Sequence, residues 1–204
     1  MPLKSQRVCA SVPGEKTLSV RLGTFLGFVL SFAVYAGIAL GVRCCMKESP
    51  WFAPDAYLTR AMFVTVLGRL CGVDVSLYSD STFGDVESGQ WYSPYVEWAA
   101  SAGIVNGVGG NLFDPLGELT HEQMYKIAAM CGAYLGAGTS DISDALILYE
   151  DRAQISDWAF ESIAYCRVND LIGEKFAHFI YPDAKSTRAE AADIIRRFAI
   201  LCGK

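Results

Sequence analysis

The distribution of apolar residues divides the chain into two parts. Residues 22–42 form a run of 21 uncharged residues, whereas after residue 50 the apolar positions recur every three to four residues. The second pattern is typical of amphipathic helices. A helix over 22–42 would be roughly 30 Å long, which matches the hydrocarbon thickness of a bilayer. We therefore predict an all-α, mainly helical chain, with one apolar helix before a body of amphipathic helices.

One helix start recurs three times in the body. Thr59, Thr120 and Thr187 each precede a segment with helical apolar spacing, and threonine is a favoured N-cap residue. In the second and third copies, Gln123 and Glu190 follow three positions later, which predicts a capping box. A Cys-Gly pair closes each segment, and we expect its glycine to end the helix in the left-handed conformation.

A second predicted helix precedes two of these segments, at 93–103 and at 156–170. Trp91 lies just before the first of these helices and Trp158 near the start of the second, and the two are 67 residues apart. The residues that follow the second and third N-cap threonines show the same spacing. A near-constant period predicts helix–loop–helix units that bury their apolar faces against one another. We place the repeats at about residues 50–75, 83–135 and 154–203, within a domain of residues 50–204.

Charge is distributed unevenly between the two parts of the chain. Residues 1–49 carry a net charge of +4, and residues 50–204 carry a net charge of −9. A body this acidic lacks the positive surface that a nucleic-acid-binding domain needs. We therefore exclude DNA and RNA as partners.

Residues with metal-binding or catalytic chemistry form no recognisable motif. The seven cysteines include no CxxC pair, and there are two histidines, so we expect no metal site, no cofactor and no disulfide framework. We expect the cysteines near the helix ends to be small, buried free thiols. A glycosidase would need two carboxylates facing one cleft, and no such pair stands out. The chain is therefore predicted not to be an enzyme.

The segment 83–124 resembles the S-layer homology family. It reads FGDVESGQWYSPYVEWAASAGIVNGVGGNLFDPLGELTHEQM, and the family pattern has F-x-D-V, a tryptophan, a helix, G-I-x-x-G, a glycine-rich turn, F-x-P and a T-R-A-E helix start. The third copy keeps Trp158, the Tyr-Pro pair at 181–182 and STRAE at 186–190, and the first keeps LTRA at 58–61. The resemblance extends over residues 50–204.

The resemblance implies a pseudo-threefold helical domain whose grooves hold an anionic secondary cell wall polymer, pyruvylated or otherwise acidic. It also implies a location in the bacterial cell envelope, outside the cytoplasm. Carried over by position, the implied ligand contacts are Arg60, Asp85, Trp91, Gly107, Gly109, His121, Trp158 and Arg188.

Elementary chemistry supports these roles and leaves alternatives. An arginine just inside a helix N-terminus would add its donors to the free backbone N–H groups there. His121 stands where the family has arginine, which puts the second groove in doubt because imidazole lacks the guanidinium fork. Asp85 could instead cap the following turn, and the two tryptophans could instead belong to the core.

The apolar run at 22–42 has two interpretations. Its last seven residues, AGIALGV at 36–42, share five of seven positions with AGIVNGV at 102–108. It could therefore dock as the first helix of a degenerate first repeat. Alternatively it inserts in a membrane, and the positive charges of the basic segment 1–21 would then keep the N-terminus inside and the body outside.

The leading functional hypothesis is a non-catalytic module that anchors proteins in the cell envelope. Two alternatives remain: a membrane-tethered scaffold that binds a protein partner, and a hydrolase of wall glycan.

Overall fold

The computed structural model describes residues 52–79, 81–139 and 141–204. Within these ranges the fold is mainly helical and contains no strand, as predicted. Its α-helices are α1 (Arg60–Cys71), α2 (Ser93–Ser101), α3 (His121–Tyr134), α4 (Asp157–Val168) and α5 (Arg188–Leu201), with 3-10 turns at Val75–Leu77, Arg152–Gln154 and Glu174–Phe176.

The predicted N-terminal segments 1–21 and 22–42 lie outside the described residues. Among the helices that the structure does describe, none has the length and apolar character required to cross a membrane.

The predicted N-caps are confirmed in all three copies. The hydroxyl of Thr59 accepts a hydrogen bond from Met62 N–H, and Thr120 and Thr187 form complete capping boxes with Gln123 and Glu190. The side chain of each N-cap and the N3 residue thus satisfy two backbone donors at the start of α3 and of α5.

Three short segments close a ring around the pseudo-threefold axis. Leu58 N–H donates to the Ser186 carbonyl at 2.9 Å, Ser186 N–H to Leu119 at 2.8 Å, and Leu119 N–H to Leu58 at 3.0 Å. Each of the three residues immediately precedes an N-cap threonine. The three helix starts therefore occupy equivalent positions around the ring. The ring residues Leu58, Leu119 and Ser186 are 61 and 67 residues apart in the sequence.

The first backbone N–H groups of α1, α3 and α5 are used to join the repeats. Arg60 N–H donates to Gly117 at 3.0 Å and Ala61 N–H to Pro115 at 3.0 Å. Equivalent pairs join His121 and Glu122 to Ala184 and Pro182, and Arg188 and Ala189 to Ala56 and Pro54. The start of each of these helices is thus held by the proline-containing loop of a neighbouring repeat.

The predicted glycine C-caps are correct for α1 and α5 but wrong for α3. Gly72 follows α1 with φ of 72°, and Gly203 follows α5 and its C-cap residue Cys202 with φ of 68°. Gly132, however, lies inside α3, which continues to Tyr134. A Cβ at Gly132 would collide with the side chain of Tyr165, so this glycine allows α4 to approach α3 rather than ending the helix.

One hydrophobic cluster runs through all five helices of the described chain. Its fully buried large side chains include Phe63 of α1, Tyr125 of α3, Ile163 of α4 and Phe198 of α5. The shared core and the ring of hydrogen bonds hold the repeats in fixed register, which positions the grooves between them.

Candidate functional site

A groove with a volume of about 510 Å³ lies where elements of all three repeats meet. We call it groove 1. It is lined by Arg60 from α1, Gln123, Lys126, Ile127 and Met130 from α3, Trp158 from α4, and residues 104–108 from the loop after α2. Three of the eight expected ligand contacts, Arg60, Gly107 and Trp158, therefore lie in one groove.

Arg60 is the buried cation of groove 1. Its side chain is 6% exposed, its Nε donates to the Phe113 carbonyl at 2.7 Å, and its guanidinium carbon lies 4.8 Å from the centre of the Phe113 ring. Burial lowers the pKa of Arg60, and the nearby carboxylates of Asp114 and Asp85 oppose this shift. The hydrogen bond through Nε fixes the orientation of the fork, so the remaining guanidinium donors are held in place at the groove.

Lys126 and Trp158 also line groove 1. Lys126 Nζ donates to the Trp158 carbonyl at 3.2 Å, and the Trp158 side chain is 49% exposed. The alternative that Trp158 belongs to the core is therefore wrong. An indole face that is open to solvent beside an ammonium group can pack on the apolar face of a sugar while the cation binds an acidic substituent.

The charge of groove 1 is opposite to that of the molecule. Arg60 and Lys126 line it, and none of its lining residues is an aspartate or a glutamate. Its other polar side chains are the amides of Asn106 and Gln123. Because residues 50–204 carry a net charge of −9, a positive, carboxylate-free groove in this body favours an anionic ligand.

Gly107 is required by the shape of the loop that lines groove 1. Its φ is 73°, and a Cβ there would lie 2.7 Å from Phe83 Cε1 and would also collide with the Leu112 carbonyl. Glycine therefore allows the loop to pack closely on Phe83. Gly109 has a φ of 106° and is not among the residues that line groove 1.

Asp85 supports the loop that holds Arg60. Its two carboxylate oxygens accept the N–H groups of Phe113 at 2.8 Å and Asp114 at 2.7 Å. Burial alone would raise the pKa of Asp85, but these bonds and the charge of Arg60 bring the pKa below its usual value. Asp85 therefore does not cap the turn that follows it, because the amides that its carboxylate binds lie 28 and 29 residues later in the chain. It acts on groove 1 by positioning Phe113, whose carbonyl accepts from Arg60.

We expected free backbone N–H groups at the helix start to bind a ligand together with the arginine, and for α1 this expectation is wrong. The first two amides of α1 donate to Gly117 and Pro115, and the third donates to the Thr59 hydroxyl. The start of α1 consequently has no amide left to share with a ligand, because these donors already join the repeats. The donors in groove 1 must therefore come from groups other than the first amides of α1.

His121 occupies the position equivalent to Arg60 but is enclosed by protein acceptors. It is 3% exposed, with Nδ1 2.8 Å from the Ile180 carbonyl and Nε2 3.2 Å from Glu190 Oε2. Lys175 Nζ binds the other oxygen of Glu190 at 2.6 Å. We call His121, Lys175 and Glu190 the ion cluster.

The ion cluster already contains its own anion. Burial would raise the pKa of Glu190, but hydrogen bonds from Lys175 and Thr187 and the charge of His121 lower the pKa to about 2. Farther along α5, Arg197 binds Asp193 at 2.9 Å and Asp170 at 3.2 Å. The cations of the His121 interface therefore form direct ion pairs with carboxylates of the protein, whereas Asp85 and Asp114 affect Arg60 of groove 1 through their charge.

Arg188 and Trp91 lie outside groove 1. Arg188 is 5% exposed, and its guanidinium carbon lies 5.4 Å from the centre of the Phe52 ring, in an arrangement like that of Arg60 on Phe113. Trp91 is half-buried and makes an edge contact with Tyr92, with ring centres 5.1 Å apart.

Sequence reasoning missed two residues at these interfaces. Lys126 follows Gln123 by three positions, and helical spacing could have placed these two side chains on the same face of α3. Asp151 repeats the role of Asp85, because it accepts N–H groups from Ile180 and Tyr181. The aromatic-x-Asp pattern, Tyr149-Glu150-Asp151, was the available signal, but one extra residue separates it from the following tryptophan.

Comparison with known proteins identifies the family of the central segment. Residues 82–124 match the model of the S-layer homology domain. Among curated proteins, the chain is 33% identical over 144 residues to an amylopullulanase of Thermoanaerobacterium thermosulfurigenes and 32% identical over 144 residues to the exoglucanase XynX of Acetivibrio thermocellus. It is also 32% identical over 81 residues to the S-layer protein sap of Bacillus anthracis.

These relatives are far longer than the region they share with the chain. The first two matches cover 71% of this chain but 8% and 13% of the relatives, and the third covers 40% of this chain and 10% of its relative. The names of the two enzymes therefore describe proteins of which this chain spans a small part. The motifs at 83–124 and the direct match over residues 82–124 lead to the same family: this chain carries an S-layer homology domain.

Proposed function

We propose that the chain is a non-catalytic module that attaches to the bacterial cell surface by binding an anionic wall glycan in groove 1. The observation that carries this proposal is the pairing of Arg60 and Lys126 in a groove without carboxylates, on a body with a net charge of −9. A charge pattern of this kind selects an acidic ligand over a neutral one.

The other residues of groove 1 favour a sugar as the carrier of that acidic group. Trp158 is 49% exposed, and Asn106 and Gln123 offer amide groups for hydroxyls. The Oε1 atom of Gln123 accepts from Thr120 N–H at 3.1 Å, which leaves the NH₂ group of this side chain to donate. An acidic polysaccharide, such as a pyruvylated secondary cell wall polymer, combines the groups that this surface would bind.

The relatives support attachment at the cell surface. They include an S-layer protein of Bacillus anthracis and a cell surface protein of Thermoanaerobacter kivui, together with enzymes that share only a minor part of their length with this chain. A module that recurs in proteins with such different names is more consistent with attachment than with catalysis.

The contacts within the ion cluster make the His121 interface a less suitable polymer site than groove 1, because Glu190 already binds His121 and Lys175. An incoming carboxylate at His121 would have to displace Glu190, whose lowered pKa keeps it ionised at neutral pH. Breaking the Glu190 contacts would also remove half of the capping box of α5. We therefore expect groove 1, and not the His121 interface, to bind the polymer.

A separate hypothesis is that residues 22–42 provide a second attachment by inserting in a membrane. Replacement of Ala33 by arginine would place a charge in the centre of the run and should move the full chain from the membrane fraction to the soluble fraction if the run inserts. If the run instead docks on the body, the same variant should make the body sensitive to protease while the wild type stays soluble.

Co-sedimentation tests the proposed function. The full chain is mixed with purified walls that carry a pyruvylated secondary polymer, and with the same walls after chemical removal of that polymer. The chain should pellet with the intact walls and stay in the supernatant with the stripped ones. Equal pelleting with both would contradict the proposal, and release of reducing sugar ends from the walls would favour a hydrolase instead.

A further inference from the structure

Three cysteines lie near the C-terminal ends of the helices that open the repeats. Cys71 is the last residue of α1, Cys131 lies in the last turn of α3, and Cys202 caps α5. All three are free thiols, as predicted, but the predicted burial is correct only for Cys131, because Cys71 and Cys202 are partly exposed. Their spatial arrangement was not predicted, because the sequence spacings that indicate a disulfide framework are absent.

The thiols of Cys71 and Cys131 are in direct contact. Their sulfur atoms are 3.7 Å apart, although the residues are 60 positions apart in sequence. A disulfide bond has a sulfur–sulfur distance of about 2.05 Å, so closure requires an approach of roughly 1.7 Å. Rotation about the side-chain bonds can bring the two sulfur atoms closer together.

We propose that Cys71 and Cys131 form a reversible disulfide that links the first and second repeats, made by exchange with a low-molecular-weight disulfide. Among the described cysteines, these two have their sulfur atoms in contact, although the charge of Cys202 also raises the pKa of Cys131. The fourth cysteine of the described residues, Cys166, is fully buried and donates to the Tyr125 carbonyl at 3.4 Å.

Cys71 is the sulfur that would react first. Cys131 is fully buried, whereas Cys71 is partly exposed. A hydrogen bond from Cys131 and the positive charge of Lys204 lower the pKa of Cys71, although burial opposes them. Lys204 is held nearby because its Nζ donates to the Leu70 carbonyl at 2.6 Å.

The exchange balances in two steps. The Cys71 thiolate attacks one sulfur of the small disulfide, which breaks that bond, forms a mixed disulfide on Cys71 and releases one thiolate. The Cys131 thiol then loses its proton and attacks Cys71 Sγ, which releases the second thiolate. Two protein thiols and one small disulfide become one protein disulfide and two small thiols.

The bond would join the two helices that carry the cations of groove 1. Arg60 starts α1 and Lys126 lies on α3, while Cys71 and Cys131 lie at the other ends of the same helices. The inference itself does not depend on the proposed function, because it rests on the thiol geometry alone.

Peptide mapping tests the disulfide. The reduced full chain is equilibrated with oxidised glutathione, alkylated under denaturing conditions, digested and analysed by mass spectrometry. We expect a linked peptide pair that contains Cys71 and Cys131 and that disappears after dithiothreitol. The linked pair should persist in Cys202→Ser and be absent in Cys71→Ser, with circular dichroism confirming that both variants fold.

Two results would overturn the proposal. One is alkylation of Cys71 and Cys131 to the same extent as in the reduced chain. The other is a Cys71 peptide linked to Cys202 or to an N-terminal cysteine while Cys131 remains alkylated.

Discussion

At the scale of single residues, equivalent positions on α3 and α5 have opposite chemistry. Gln123 and Lys126 of α3 line groove 1, and the 67-residue spacing places Glu190 and Asp193 at the same positions of α5. At these two positions, the amide and the cation of α3 are thus replaced by two carboxylates in α5. That exchange explains why the same backbone arrangement leaves cations available to a ligand at groove 1 and neutralises them at the His121 interface.

Replacement of Trp158 by alanine should weaken binding to the acidic polymer by about 2 kcal/mol, or roughly 30-fold. The indole is 49% exposed, so its loss should remove ligand contact area with little effect on folding. Phe160→Ala is the matched control, because Phe160 is an aromatic residue of the same helix with 43% exposure and does not line groove 1. Equal losses of affinity for the two variants would remove Trp158 from the site.

Glu190 should make stability depend on pH in the acid range. Its pKa is lowered from 4.5 to about 2 in the folded state, so its contribution is present above about pH 4.5 and is lost as the pH falls towards 2. After allowance for solvent screening, the loss is on the order of 1–2 kcal/mol. Urea unfolding at pH 6 and pH 3 should show a larger decrease for the wild type than for Glu190→Gln. An identical decrease would show that the ion cluster does not stabilise the ionised carboxylate.

At the scale of elements, the helix starts are the best-specified parts of the fold. The Thr187 hydroxyl accepts from Glu190 N–H, and the Glu190 side chain accepts from Thr187 N–H at 2.8 Å. Thr187→Ala should therefore lower the free energy of unfolding by about 1 kcal/mol, whereas Thr187→Ser keeps the hydroxyl and should retain most of it. Urea midpoints measured without ligand provide the comparison, and an unchanged midpoint for Thr187→Ala would show that the cap contributes nothing.

The elements that sequence could predict are those whose signals are local. Threonine caps and capping boxes depend on residues three positions apart, and they were predicted correctly at Thr120 and Thr187. The role of Gly132 could not be predicted in this way, because it depends on the approach of Tyr165 from another helix. The occupied amides of α1 were missed for the same reason: their partners, Gly117 and Pro115, belong to another repeat.

At the scale of the whole molecule, the candidate site is formed by three repeats at once. Arg60, Lys126 and Trp158 lie on α1, α3 and α4, and they reach one groove only because the ring of Leu58, Leu119 and Ser186 fixes the repeats around the axis. Repeat spacing predicted which residues are equivalent. It could not predict which groove would keep its cations available, because that depends on carboxylates supplied by other elements.

The central claim is that groove 1 binds the acidic polymer and the ion cluster does not, and paired lysine variants test it most directly. Lys126 lies in groove 1, whereas Lys175 is 71% exposed at its side chain and pairs with Glu190. Both changes remove one cation from the surface, so net charge is matched.

The measurement is equilibrium binding of the full chain and its variants to a soluble fragment of pyruvylated wall polymer. The account predicts that Lys126→Ala weakens binding by about 1.5–3 kcal/mol, or roughly 10- to 150-fold, and that Lys175→Ala stays within about twofold of the wild type. Weakening by Lys175→Ala that equals or exceeds that by Lys126→Ala would contradict the account.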